Sequence, residues 1–589
     1  MPSASARASW LAVTVLAAAA SLHASPAPPA DPWRAAPFSL DAGALLAAAE
    51  AETPGDEATS LILVSESDVS FDAAGSRTTR VHVIVRLLQA SAVEEWAGIE
   101  VDWSPWHQAR PEVRVRVVTP DGAEHALDPA TVAEEGAGEG SPDLYGDRKR
   151  LRAPLPAVAI GAVVEEEVVE RESSPLLDAG EVGAFEFGSG DPVLHTRLTI
   201  SAPASLGLKV RSHGRAPEPR REENAGAVRL TYEVGRLEPE LEFEPGLPSD
   251  QPLGSFVAYA TGASWQRIAA RYSEIVDRQI AGADLKAVLQ ETAAGVRDRR
   301  ELAARLLAWI QKRVRYTGVE FSDASIVPRT PAETLKRKFG DCKDKAALLV
   351  ALLRAAGQPA SVVILKTGPG PDVDPELPGF GRFDHAIVRV AGTPELWIDP
   401  TDEYARAGEL PTPDQDRLVL VASPDSTSLS RTPAAGSADN RTTVTREFVL
   451  PERGLARVTE TSTVTGGPER SLRRSYGETD RKQARDNAEG YARAEFLARG
   501  AVRLTVSDAA DLARPFVVRM DIEDAGRGAT DDSGSAAAIR LDSLLAQLPP
   551  ALRAESAANG ETEARAGDVG SGFLISVTTE GFPGGRAGL

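Results

Sequence analysis

Across 589 residues there is one cysteine, two methionines and an aromatic content of only 5%. One cysteine excludes an internal disulfide, so whatever folds here is held by its cores alone. Basic charge is also scarce: the formal net charge is -21. Such a field repels phosphate backbones, and no basic stripe of the kind a nucleic-acid partner needs is present. Long apolar runs are missing as well. The most apolar stretch, Trp10 to Ala20, is far short of the roughly 20 residues that span a bilayer, and no membrane span is expected in the mature chain. There is no P-loop, GxGxxG or HExxH motif, and the seven histidines show no ligand spacing, so neither a cofactor nor a metal is expected.

What is present begins with an export signal. Arg7 precedes the apolar run, small residues follow it, and cleavage is expected after Ala20 or Ala24, giving a signal peptide over 1–24 and a periplasmic or extracellular protein. A Pro-rich tether and a short helix fill 25–58. Residues 59–246 alternate apolar and polar in short runs broken by turn residues, as in "SLILVSESDVSFDAAGSRTTRVHVIVRLLQ" and "EVRVRVVTPDGAEHAL", which predicts a β-sandwich-like domain. From Ser264 the period becomes helical, with Trp265, Ile268, Tyr272 and Ile275 on one face, then Leu302, Leu306, Trp309 and Ile310 on another. Strands "PASVVIL", "RFDHAIVRV" and "ELWIDP" follow, so 255–415 is predicted to be an α+β domain. A polar linker (423–440) leads to a C-terminal β-rich module (441–589), with a charged, exposed helix near 468–498 and a loosely ordered tail. The acidic run "EEEVVERE" (165–172) reads as the solvent face of a strand.

The cysteine sits in "RKFGDCKDKAALLVALLRAAG" (337–357). Leu348, Leu349, Leu352, Leu353 and Ala356 recur at helical spacing, Gly357 is placed to stop the helix, and Asp341 to cap its start. Cys342 then lies in the first turn, where free backbone N–H groups and the helix dipole favour a thiolate and an oxyanion. Taken alone, a cysteine is most simply a small buried apolar residue, and a lone histidine a structural one. In combination, His385 on one strand and Asp399 at the end of the next supply an imidazole and a carboxylate to orient it. Tyr316 in "VRYTG" reads as core packing. The loop "TGPGPDVDPELPGFG" (367–381) reads as a solvated rim, and its Asp372, Asp374 and Glu376 match no calcium-loop spacing.

"GDCKDKAALLVALLRAAG", "FDHAIVRV" and "WIDPTD" resemble the Cys, His and Asp motifs of the transglutaminase-like superfamily, and the strands before them resemble the β-rich domain of unknown function that precedes such cores in exported bacterial proteins. The resemblance implies a papain-like fold with Cys342 as nucleophile, His385 as general base and acid, and Asp399 as its orienter. It implies a protein or peptide substrate whose amide carbon passes through a thioester to an amine or to water. The alternative of another class is a periplasmic or surface binding module with a relic core, its β-domains meeting a protein or glycan partner.

Overall fold

The computed structural model describes residues 31–55, 58–138, 144–239 and 251–538. The signal peptide, the first part of the tether and the C-terminal tail from 539 lie outside the described residues.

The hairpin expected after Ser60 is present. Strands Ser60–Phe71 and Arg77–Leu87 pair antiparallel from Ser60↔Leu87 to Phe71↔Arg77. Asp72 organises the turn by accepting from the N–H groups of Ala74 and Ser76, and Gly75 takes the left-handed conformation (φ 89°) that closes it. These strands sit at the centre of an eight-stranded sheet. Strand alternation sends consecutive side chains to opposite faces. Ile84 packs with Leu45 and Leu46 of helix Ala42–Ala51, whereas Val85 packs with Ile99 and Ala153 of a three-stranded sheet. A second three-stranded sheet brings Phe187, Val257 and Tyr259 against Leu198, Leu230 and Tyr232 of the large one, the sandwich-like packing the alternation predicts. Strand Ser255–Ala260 belongs to that sheet, pairing with Val182–Phe187 and Lys209–His213.

Two expectations for charged segments are corrected. Glu165, in the acidic run, is buried, with Oε1 2.9 Å from His82 Nε2 and Oε2 accepting from Arg116 at 2.7 Å. Those partners come from neighbouring strands, which is why the run alone does not reveal them. The helix near 468–498 is two helices, Gly467–Glu478 and Arg481–Phe496, the second capped by Asp480. Its first half is anchored along one side, where Glu469, Arg470 and Arg473 are buried. Arg473 is fully buried and donates to Glu469 and to the carbonyls of Asp508, Ala509 and Arg514.

The central region packs helices on one face of a five-stranded antiparallel sheet, ordered Leu396–Ile398, His385–Val390, Ala360–Leu365, Leu418–Val421, Ser430–Arg431. Val362, Ile364, Val388 and Val390 face helices Trp265–Ile280, Arg299–Arg313 and Cys342–Ala355, while Val363, Leu365 and Ile387 face the opposite side with Trp397 and Leu410. Ser264 caps its helix as expected. Trp309 is partly buried against that core, and its indole N–H donates to Glu291. The C-terminal strands Arg441–Val449, Gly454–Thr465, Phe516–Asp531 and Val502–Val506 form their own sheet, covered by helix Arg481–Phe496 through Ala488, Ala492 and Phe496.

Candidate active site

The cysteine helix spans Cys342–Ala355 and begins where the sequence predicts. Asp341 caps it: Oδ1 accepts from Asp344 N at 3.0 Å, while Oδ2 is 2.5 Å from Lys343 Nζ. Lys343 is itself buried; burial opposes its charge, and Asp341 with Cys342 and Glu320 raises its ammonium above the ordinary range. Gly340 is required by closeness, since a Cβ there would stand 2.7 Å from Asp344 Cβ. Gly357, at φ 80°, ends the helix. Cys342 is thus the first helical residue, half-buried, on a start fixed by one carboxylate and by the parallel pairing of Arg315–Tyr316 with Phe339–Gly340.

His385 opens its strand opposite Leu365, and the next strand returns through Val388↔Ile398, which brings Asp399 back beside the imidazole. His385 Nε2 lies 3.4 Å from Asp399 Oδ2. Asp399 is oriented by Thr401, whose N–H and hydroxyl both donate to Oδ1, at 2.8 and 2.7 Å. Burial works against a charged imidazole here, yet Asp399 and the nearby Cys342 raise His385 well above its ordinary value. Burial likewise opposes the Asp399 carboxylate, and His385 followed by Thr401 holds it below the ordinary range. The three side chains singled out in the sequence are therefore brought to one place: the imidazole lies beside Asp399, and Cys342 is near enough to shift it.

Other residues of the site carry no sequence signal. Asp414 is buried on the 3-10 turn Thr412–Asp414, with Oδ2 3.9 Å from His385 Nε2. Burial, with Asp399 adding repulsion, pushes it up to about 6. Lys345, one turn along from the cysteine, is fully buried with no hydrogen-bond partner for Nζ among the described residues; burial lowers it to about 8 against the pull of Asp399. Tyr316, expected in the core, is instead 38% exposed on the cavity wall, its phenol raised by burial of the hydroxyl and by Cys342. The cavity, about 580 Å³, also takes Arg474 and Glu478 from helix Gly467–Glu478, so the C-terminal module forms part of its wall. The loop 367–381 is less solvated than expected. Val373, Leu377 and Phe380 are buried, and only its first residue, Thr367, reaches the cavity. Among the described residues no helix is long and apolar enough to cross a membrane.

Two stretches of the chain match known families. Residues 73–240 match the domain of unknown function DUF3857, and residues 286–399, the interval that holds Cys342, His385 and Asp399, match the transglutaminase-like superfamily. A crystal structure of a candidate protease from Parabacteroides distasonis is similar at TM-score 0.53 and 12% identity, covering 82% of this chain and 94% of its own, which is a likeness of fold. A candidate nutrient-binding protein of Legionella pneumophila (TM-score 0.20, 8% identity, 45% and 83% covered) and a candidate cysteine protease of Cytophaga hutchinsonii (0.16, 13%, 55% and 77%) are too distant in structure to bear on it. No curated protein sequence matches the chain. The chain thus joins a DUF3857 domain to a domain of the transglutaminase-like superfamily and a C-terminal strand-rich module.

Proposed function

We propose that the central domain is a cysteine acyl-transfer enzyme acting on peptide or protein amide bonds in an exported protein. The observation that carries this reading is the position of His385, 3.4 Å from the threonine-anchored Asp399 and close enough to Cys342 to be shifted by it. Nε2 faces the carboxylate, which leaves Nδ1 as the ring atom for sulfur. The thiol proton passes to the imidazole as sulfur becomes the nucleophile.

Sγ attacks the amide carbon, and the oxyanion is met by backbone N–H groups at the helix start. His385 passes its proton to the departing amine as the C–N bond breaks, leaving a thioester on Cys342. Water or an incoming amine then attacks the thioester while His385 takes up the proton, and the thiolate leaves. Hydrolysis and amine transfer share every residue and differ only in the second nucleophile.

Incubating the mature chain with a peptide mixture and a labelled primary amine distinguishes them. Cleavage lost in Cys342→Ala marks a peptidase and amine incorporation lost in that variant marks a transferase. Activity that persists in Cys342→Ala, or none with any substrate alongside unreactive Cys342, rejects the proposal.

A further inference from the structure

The cluster around His385 contains more than a Cys-His-Asp enzyme needs. Two carboxylates, from different segments, present the same atom to the same ring nitrogen: Asp399 Oδ2 at 3.4 Å and Asp414 Oδ2 at 3.9 Å from His385 Nε2. Each is aimed by its other oxygen. Thr401 donates to Asp399 Oδ1 at 2.7 Å, and Thr367 donates to Asp414 Oδ1 at 2.5 Å. Asp414 is further fixed through its carbonyl, which accepts from Thr432 at 2.6 Å. Its Oδ2 is buried in a residue only 2% exposed and has no hydrogen-bond partner among the described residues. A buried carboxylate oxygen held in place and left without a donor is costly unless something positive meets it.

We propose that His385, Asp399 and Asp414 form a binding site for a divalent transition-metal ion of the zinc class, and that a metal held there excludes catalysis. One donor atom from each of the three side chains lies within 4.8 Å of the others. Two donors on a tetrahedral zinc stand roughly 3.3–3.5 Å apart, so the two distances to Nε2 need at most about half an ångström of closure. Threonine hydroxyls on the outer oxygens are the orienting contacts that ligating carboxylates use. One imidazole and two carboxylates favour zinc over magnesium, which prefers an all-oxygen shell with several waters. The ion takes the place of the Nε2 proton and leaves the fourth position to water. Cys342, on the other side of the ring, is not a ligand. With the metal on Nε2 the ring's one remaining proton lies on Nδ1, towards sulfur; the imidazole then has no lone pair to take the thiol proton and could give up its own only as an imidazolate, so acid–base catalysis stops. This second half rests on the proposed acyl transfer, whereas the binding does not.

Titration of the mature chain with zinc chloride, followed by calorimetry and by competition with a chromogenic chelator, tests the site without any assay of activity. One equivalent is expected to bind, magnesium not to compete, and Cys342→Ser to bind as wild type. Asp414→Asn should weaken binding by at least about 10-fold, and Thr367→Val, which leaves all three ligands in place, by about 10-fold. If Asp414→Asn does not fold, as judged by its circular dichroism, Thr367→Val alone decides. No stoichiometric binding, binding that both variants leave unchanged, or binding lost in Cys342→Ser overturns the site. Wild-type binding with undiminished peptide or amine turnover in excess zinc overturns only the exclusion of catalysis.

Discussion

Replacing Asp341 with alanine removes two interactions whose sizes differ, and the structure allows them to be separated. The first is the cap on Asp344 N, worth about 1 kcal/mol. The second is the partner of Lys343, whose Nζ lies 2.5 Å from Asp341 Oδ2 in a residue only 5% exposed. Stranding a buried charge costs about 3–5 kcal/mol. Glu320, 3.6 Å away and partly exposed, remains as a weaker partner and holds the loss to the lower end. The sum is about 4 kcal/mol, a large share of the roughly 5–15 kcal/mol that stabilises a domain. The chain has several domains, so a local reading is needed: amide exchange of the buried segment Leu348–Leu353 by mass spectrometry. Asp341→Ala should speed exchange there by about 10³-fold. Asp341→Asn keeps the cap and loses only the charge, giving about 10²-fold. Asp341→Ala with Lys343→Met should return to within about 10-fold of wild type, because no ammonium is left unpaired. Equal exchange in the alanine and asparagine single variants, or no recovery in the double variant, would refute the claim that a buried ion pair fixes the cysteine.

In the N-terminal domain, burial opposes the charge of Glu66, but the imidazoles of His195 and His82, each 3.7 Å away, with Arg197, lower it to about 2. A depressed carboxylate stabilises above its unfolded value, near 4.5, and loses that contribution as pH falls towards 2, about 3 kcal/mol in all. Glu66→Gln should therefore lower the melting temperature of this domain at pH 7 and converge on wild type near pH 2; a constant gap across that range would show that the charge is not responsible. Behind the cavity wall, a Cβ at Gly477 would stand 2.3 Å from Oη of Tyr404, which lines the cavity. Gly477→Ala should leave stability within about 1 kcal/mol, since alanine favours a helix, while the displaced Tyr404 changes KM. An unaltered KM would place the substrate elsewhere in the cavity.

Much of the central domain is readable from local pattern. The leucine spacing after Cys342, Asp341 before it and Gly357 behind it each dictate one property of one helix, and all three agree. The hairpin turns of the β-rich domain are equally local. What escapes is whatever is made by distant partners. Asp414 follows Asp399 by fifteen residues inside "PTPDQD", where an aspartate is ordinary turn chemistry; only the sheet returns it to His385. Glu165 and Arg473 look like surface charges because their neighbours in sequence are charged, yet His82 and Arg116 on adjacent strands claim the first, and three carbonyls of a following segment claim the second. Tyr316 was expected inside by its residue type, but a two-residue strand beside the cysteine loop holds it at the cavity.

The central claim, that sulfur at position 342 carries the acyl group, is tested most directly by intact-mass spectrometry of the mature chain quenched in acid during turnover of an activated ester or peptide. The expected result is one acyl adduct per chain, mapped to Cys342, released by hydroxylamine as a thioester is, absent in Cys342→Ala and slowed at least about 10²-fold in His385→Ala. An adduct that forms at the same rate without His385, or that remains after Cys342 is removed, would contradict it.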